Sequence, residues 1–345
     1  MRHVVSGATR RLVRRLPASV LPPAPPQKGR FPQGREPNPP DPEVIDDFRL
    51  CAVVKSWMDE DIVEATVRSL QVQGVDEVYV VDNGSTDATV ARATRAGALV
   101  GEVYESDMFE ERLAQAMMNA VVARESLRSG AEHVWWIYMD CDEFPEGPDG
   151  LSLREYLATL DKRFRIVGAT YANHLPDRKP DYVSGFHPID FQPCFYPLAP
   201  WFRPPCGHWK HPLQRFDRHG AFIQCEGGAH HATGGLKGER SEPELGITTH
   251  HFQYRDEAVT RAKLELICGP GSTRADWMRR RGIPNFDQRR RSLDAVYSQR
   301  WGEVEIEGDA RLDEAMLSLW PHPEWVRRWY PLDDLEALRH QPSQA

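Results

Sequence analysis

Four apolar runs, each closed by a polar or acidic tip, constrain the fold of this chain more than any other feature. They are LCAVVKS (50–56), EVYVVD (77–82), ALVGEVYE (98–105) and VWWIYMD (134–140). All are dense in apolar and β-branched residues, so each predicts a strand covered on both faces, as in a parallel sheet. The segments between them carry a helical period. Ile62, Val63, Ala65, Val67 and Leu70 form one apolar stripe, TDATVARATRAGA reads as a second helix, and Phe109 to Leu127 as a longer one. Strands alternating with helices predict an α/β fold, with a mostly parallel sheet and helices on both faces.

Outside this core the pattern changes. Residues 1–47 read as a tail: proline is dense there and no apolar period persists. Arg10, Arg11, Arg14 and Arg15 lie among Leu12, Val13 and Leu16. They form either a solvated basic stretch or a peripheral contact with an anionic membrane. RIVGATY is a further strand, and 172–235 reads as loops and short antiparallel strands. From 257 to 345 a C-terminal helical extension is expected, built on AVTRAKLELICG, RADWMRRRG and FDQRRRSLDAVYSQRW. The main domain is then 48–256, divided near 145.

A net charge of −8 argues against a nucleic-acid partner. None of the six cysteines forms a Cys-x-x-Cys pair, and no secretory leader is recognised, so a reducing, cytoplasmic setting is expected. No apolar run approaches the length of a membrane span. Asn83-Gly84-Ser85 matches a glycosylation sequon, but in a tight turn of such a protein it is read as chance.

Two constellations carry chemistry. In VVDNGSTDAT (80–89) a strand ends at Asp82, Asn83-Gly84 makes a sharp turn, and Ser85 or Thr86 caps the next helix. Ligands of open α/β sheets bind at the carboxyl ends of strands, where a carboxylate can accept from a base or ribose. The plain alternative is strand-to-helix punctuation. In YMDCDEF (138–144), Asp140 and Asp142 bracket one residue where a strand runs out, and Glu143 follows. Such acids repel one another, and a divalent cation with oxygen ligands, Mg²⁺ or Mn²⁺, relieves that repulsion. The plain alternative is a solvated acidic loop.

VVDNGSTD followed by a strand ending in DCDEF resembles the family 2 glycosyltransferases of the GT-A fold, which is Rossmann-like. The likeness is close over 48–145 and looser to about 265. The closest subgroup carries an Asp-x-Asp-Glu-Phe metal motif and a Lys-Asn-Glu-like first segment, which here reads KSWMDED. The resemblance implies transfer of a sugar from a UDP- or GDP-linked donor to a hydroxyl of a glycan or other acceptor, with inversion. It places Asp82 on the nucleobase, with Asn83 and the main chain at Val54 and Lys55 in the same pocket. Asp140 is placed on the ribose or the metal, and Asp142 on the metal. Arg112, Gln115 or Asn119 would face the donor.

In THHFQYRD (249–256) the resemblance implies a histidine that completes the metal site, His251 ahead of His250, with Arg255 and Lys263 near the diphosphate. It also implies a carboxylate base, Glu226 first and Asp217 second. Cys206, His208, His211, Cys225, His230 and His231 include a weak zinc pattern but read better as cleft and core residues. Trp201 and Trp209 are candidates for stacking on an acceptor sugar. The rival readings are a Mg²⁺-dependent nucleotidyltransferase or phosphohydrolase using the same acids, and a non-catalytic protein that binds a sugar nucleotide.

Overall fold

The four apolar runs form strands β1 (Arg49–Ser56), β2 (Glu77–Asp82), β3 (Leu99–Val103) and β4 (His133–Asp140). In this computed structural model residues 43–105, 111–176, 182–197, 210–234, 246–269, 286–304, 312 and 317–319 are described. β1 lies between β2 and β4, and β3 lies beyond β2; all three pairings are parallel. Side chains alternate across this sheet. Ala52, Val54 and Val80 join a core on one face with Ile62, the residue before α1 (Val63–Val72), Leu70 of α1 and Ala93 of α2 (Thr89–Arg95). Val53, Tyr79 and Val81 join the opposite core with Met118 and Val122 of α3 (Glu111–Ser129). Each fully buried Val, Leu or Ile contributes about 1.5–3 kcal/mol. Burial on both faces holds for β1, β2 and β4 as their unbroken apolar runs require, whereas β3 is an edge strand that leaves Leu99, Val100 and Val103 about half exposed, against the expectation for ALVGEVYE.

The sheet then changes direction. β8 (Lys210–Asp217) runs antiparallel to β4, and β6 (Ile166–Leu175), the expected RIVGATY strand, runs antiparallel to β8. β7 (Cys194–Pro197) and β12 (Ser318–Leu319) extend the sheet antiparallel beyond β6. β11 (Ile247–His251) pairs parallel with β6 and antiparallel with β5 (Glu143–Glu146). β9 (Ile223–Glu226) and β10 (His231–Gly234) make a separate hairpin. The whole is the Rossmann-type, GT-A-like α/β architecture expected, with a parallel half that carries the helices and an antiparallel half beside it.

Short α4 (Leu153–Leu157) begins with a complete capping box between Ser152 and Glu155. Of the expected C-terminal helices, α5 (Glu257–Cys268) and α6 (Phe286–Tyr297) form, while RADWMRRRG falls outside the described residues. Asp256 caps α5 by accepting from Val259 N–H at 2.9 Å. α6 packs Ala295 and Val296 against Leu175, Tyr196, Val304 and Leu312. The stretch read as tail is already held at its end: Val44 bridges Asp161, and Lys162 N–H donates to Glu43 O at 2.6 Å. Among the described residues no helix is long and apolar enough to cross a membrane.

Candidate functional site

Parallel pairing puts the ends of β1, β2 and β4 side by side, with Ser56 opposite Asp82 and Lys55 opposite Asp140. Asp82 is buried, and its carboxylate accepts from Ser56 Oγ at 3.0 Å, Ser85 N–H at 2.8 Å and Ser85 Oγ at 2.7 Å. This carboxylate therefore holds the turn. Next to it, Asn83 is 3 % exposed, yet neither polar atom of its carboxamide has a partner. An unpaired buried amide is costly, so Asn83 is the group here with capacity left for a ligand. Gly84 sits at φ +62°, where a Cβ would come within 3.1 Å of the Glu105 side chain, so the turn requires glycine. The expected Ser85 or Thr86 cap does not form. Ser85 is engaged by Asp82, and Asp87 accepts from Thr89 N–H at 3.0 Å instead.

At the tip of β4 the middle residue of Asp-Cys-Asp faces inward. Cys141 is buried, and its carbonyl accepts from Thr66 Oγ1 of α1 at 2.5 Å. With Cys141 anchored, Asp140 and Asp142 on either side keep 33 % and 25 % side-chain exposure. Asp140 lies 2.9 Å from Lys55 Nζ and 3.6 Å from Lys210 Nζ. Burial pushes the Asp140 carboxyl up, but the two ammonium groups outweigh it and hold it well below the usual range. Glu143 is buried with Lys210 Nζ at 2.5 Å; burial raises its carboxyl against the pull of that lysine.

Asp142 faces His251 Nε2 at 3.8 Å and Arg255 Nη1 at 3.5 Å. Burial raises its carboxyl, and His251 and then Arg255 bring it below the usual value. β11 pairs His251 with Glu143 on one side and Asn173 on the other. His251 Nδ1 is 2.8 Å from Asn173 Oδ1. A carboxamide oxygen only accepts, so Nδ1 donates to Asn173 and Nε2 is turned toward the Asp142 carboxylate. His250 differs: it is fully buried, between His174 Nε2 and Glu146 Oε2 at 2.9 Å each.

Arg255 is buried and held by Asp61 at 2.6 Å and Asp59 at 3.4 Å besides Asp142, while Lys263 contacts Asp59. The β1–α1 loop, the tip of β4 and the start of α5 are thus tied together by charge. Against burial, Asp61, Asp142 and Asp59 raise the Arg255 guanidinium further.

Other expected residues are placed differently. Asp217 is at the wrong end of the sheet for a base. It pairs with His133 at the start of β4, seven residues from Asp140, or roughly 23 Å along the strand. There it is held by His133 at 2.7 Å, Arg215 at 2.7 Å and Arg165 at 2.9 Å. Asn119 does not face a donor: its amide clamps the main chain of Cys225 at 2.9 and 3.1 Å and accepts from Tyr138 Oη at 3.0 Å. Gln115 is buried one turn nearer the strand tips, with Nε2 unpartnered. Arg112 is exposed on the first turn of α3.

Glu226 is exposed at the end of β9, next to Cys225. Asn119 ties the Cys225 main chain to Tyr138, two residues from Asp140, so this end of β9 lies toward the Asp140 end, and burial pushes the Cys225 thiol up to about 12. His211 Nδ1 lies 2.9 Å from the His230 carbonyl. Cys206, His208, Trp201 and Trp209 lie outside the described residues, as does the side chain of His231. Val54 is buried within β1. Lys210 and Asn173 escaped the sequence reading, because only the pairing of β8 and β6 with distant strands brings them here.

Among the described residues no group of three His, Cys, Asp or Glu side chains converges on one point. Asp142 and His251 alone still fit a small divalent ion, which needs one or two protein ligands and leaves its other positions to water and phosphate. A carboxylate with an imidazole suits Mn²⁺. The Nδ1–Asn173 bond supplies the outer-shell contact that orients a ligating histidine.

The sequence matches no protein-family model and no curated protein. Among solved structures it is similar to glucosyl-3-phosphoglycerate synthase from Mycobacterium tuberculosis. In the complex with Mn²⁺, UDP and glucosyl-3-phosphoglycerate, identity is 22 % over 36 % of this chain and 44 % of that one, with a TM-score of 0.24. The complex of the same enzyme with Mg²⁺ and UDP gives 22 %, 36 %, 43 % and 0.24. A structure described as a mycobacterial protein gives 24 %, 36 %, 41 % and 0.26. This chain spans less than half the length of those proteins, and at such TM-scores the likeness carries no argument about activity.

Proposed function

We propose that this chain is a metal-dependent glycosyltransferase of the family 2 type, taking its sugar from a UDP- or GDP-linked donor. One observation carries the reading: at the strand tips the Asp142 carboxylate and His251 Nε2 face each other at 3.8 Å, a carboxylate and an imidazole turned toward one point. A divalent ion bound there would supply charge to a leaving diphosphate. Asn83 takes the nucleobase through its unpaired carboxamide, in place of Asp82, whose oxygens are engaged by Ser56 and Ser85. The main chain at Val54 and Lys55 lines the same pocket. Arg255 and Lys263 lend positive charge on the diphosphate side. Glu226, exposed beside the Asp140 end, is the base that removes the acceptor hydroxyl proton as it attacks with inversion. The acceptor is a glycan or another hydroxyl compound, such as the phosphoglycerate named for the similar enzyme. The protein works in the cytoplasm.

The test is to incubate the purified chain with UDP- and GDP-sugars, Mn²⁺ or Mg²⁺, and candidate hydroxyl acceptors, and to identify the nucleotide released. Nucleoside diphosphate, released only with metal, is expected. Pyrophosphate or phosphate would point to a nucleotidyltransferase or phosphohydrolase. Nucleotide binding indifferent to metal, without turnover, would point to a non-catalytic binding protein.

A further inference from the structure

Asp140 sits in a row of three charges that runs across the sheet. Lys55 on β1 is its direct parallel partner. On its other side the β4–β8 register pairs Ile137 with Leu213, and three residues on along both strands it brings Asp140 to Lys210. The order across the strand tips is therefore lysine, aspartate, lysine. Lys210 also holds Glu143, whose second oxygen lies 3.3 Å from the Asp140 main-chain N–H, and it lies over the Tyr171 ring at 5.2 Å. Lys210 and Glu143 are buried. Stability alone does not explain such a row, because replacing buried ion pairs by packed apolar side chains is often neutral or stabilising.

Asp142, two residues on, is treated differently. Its nearest cation, Arg255, is shared with Asp59 and Asp61, and no lysine within ion-pair distance neutralises it. The row thus sorts three neighbouring acids: two are neutralised from within the fold, and one is left open beside His251.

We infer that Lys55 and Lys210 are positioning residues that withhold Asp140 and Glu143 from the divalent ion, so that metal binds weakly to Asp142 and His251 alone and tightly only together with a nucleoside diphosphate. This rests on the reading of Asp142 and His251 as metal donors. It departs from the assignment of Asp140 to the metal made from the motif. The physical reason is charge. With both lysines in place the metal meets one carboxylate, whose only close cation is shared with Asp59 and Asp61, and one imidazole, a set too poor in charge to hold a hard dication well. Diphosphate oxygens make up the deficit.

The experiment titrates the full chain with Mn²⁺ alone, then with Mn²⁺ plus UDP or GDP, and reads free Mn²⁺ by electron paramagnetic resonance. The wild type should bind Mn²⁺ weakly alone and markedly better with nucleotide. Lys210→Met should bind Mn²⁺ alone at least about tenfold more tightly, because Asp140 and Glu143 regain net charge beside Asp142. Nucleotide should then add less. Lys210→Arg, which keeps the charge, should behave as the wild type. A purely structural lysine would not make its own removal tighten metal binding. If Lys210→Met does not fold, Lys55→Met removes the other lysine, leaves the row one negative charge, and should likewise tighten Mn²⁺ binding. Unchanged Mn²⁺ affinity in the folded variants, with nucleotide-assisted binding intact in the wild type, would overturn the inference and leave the metal site standing. No Mn²⁺ binding by the wild type, with or without nucleotide, would remove the metal site and the inference with it.

Discussion

An aspartate cluster lies at each end of β4, and the two clusters are built on opposite logic. At the start of the strand, Asp217 meets His133, Arg215 and Arg165 at 2.7–2.9 Å. Guanidinium forks are directional and match carboxylate lone pairs, so this acid is saturated. At the far end, Asp140 meets two lysines, which are point charges without a fork, and Asp142 faces His251 and a single guanidinium at 3.5 Å that it shares with Asp59 and Asp61. The first cluster is closed and clasps β4, β6 and β8 together. The second stays open at a partly exposed position. An acid with several cations around it is thus no sign of a site; one left short of them is.

The sharpest way to break this comparison is to neutralise one acid at each end. Asp142→Asn should lower turnover by about 100- to 1,000-fold, the scale for losing one preorganised electrostatic contact, with little change in melting temperature. Asp217→Asn should do the reverse. It leaves two guanidinium groups without their anion, for a loss of about 3 kcal/mol of stability, while turnover per folded molecule holds. Chemical denaturation beside initial rates checks both. Equal losses of activity from both variants would erase the distinction.

Acid sharpens the same contrast. Burial raises the Asp217 carboxyl, but Arg215, then His133 and Arg165, bring it below its ordinary 3.8. Because the folded value is depressed, the clasp is fully stabilising above 3.8 and weakens as pH falls through the lower folded value. Denaturation from pH 7 downward should show a steep loss in the acid range, and Asp217→Asn should flatten that limb.

The parallel half was legible because its signal is local. A strand buried on both faces must be apolar throughout, and LCAVVKS, EVYVVD and VWWIYMD display this without reference to any partner. Asp142 and His251 were found through motifs at strand ends, where chain direction and chemistry coincide. Lys210 and Asn173 were not, since an ordinary lysine and asparagine gain their meaning from β8 and β6 pairing with strands far away in sequence. Asp217 misled for the converse reason: its distance from Asp140 along the chain suits a base, but β8 runs antiparallel to β4 and carries it to the other end. Asp82 and Asn83 exchanged emphasis because hydrogen-bond saturation by Ser56 and Ser85 is a tertiary fact.

Asn173 allows the smallest and most specific test of what makes the open end open. Its side chain is fully buried, and Oδ1 accepts from His251 Nδ1 while Nδ2 has no partner. Without that acceptor the imidazole is free to turn, and Nε2 is no longer aimed at Asp142. Asn173→Ala should therefore weaken Mn²⁺ binding in the presence of nucleotide by about 10-fold, the lower end of what loss of an outer-shell contact costs. Asn173→Asp, which restores an acceptor at the same place, should recover most of it. Calorimetric titration of the two variants distinguishes orientation from packing, since a packing defect would be shared by both and an orientation defect only by alanine.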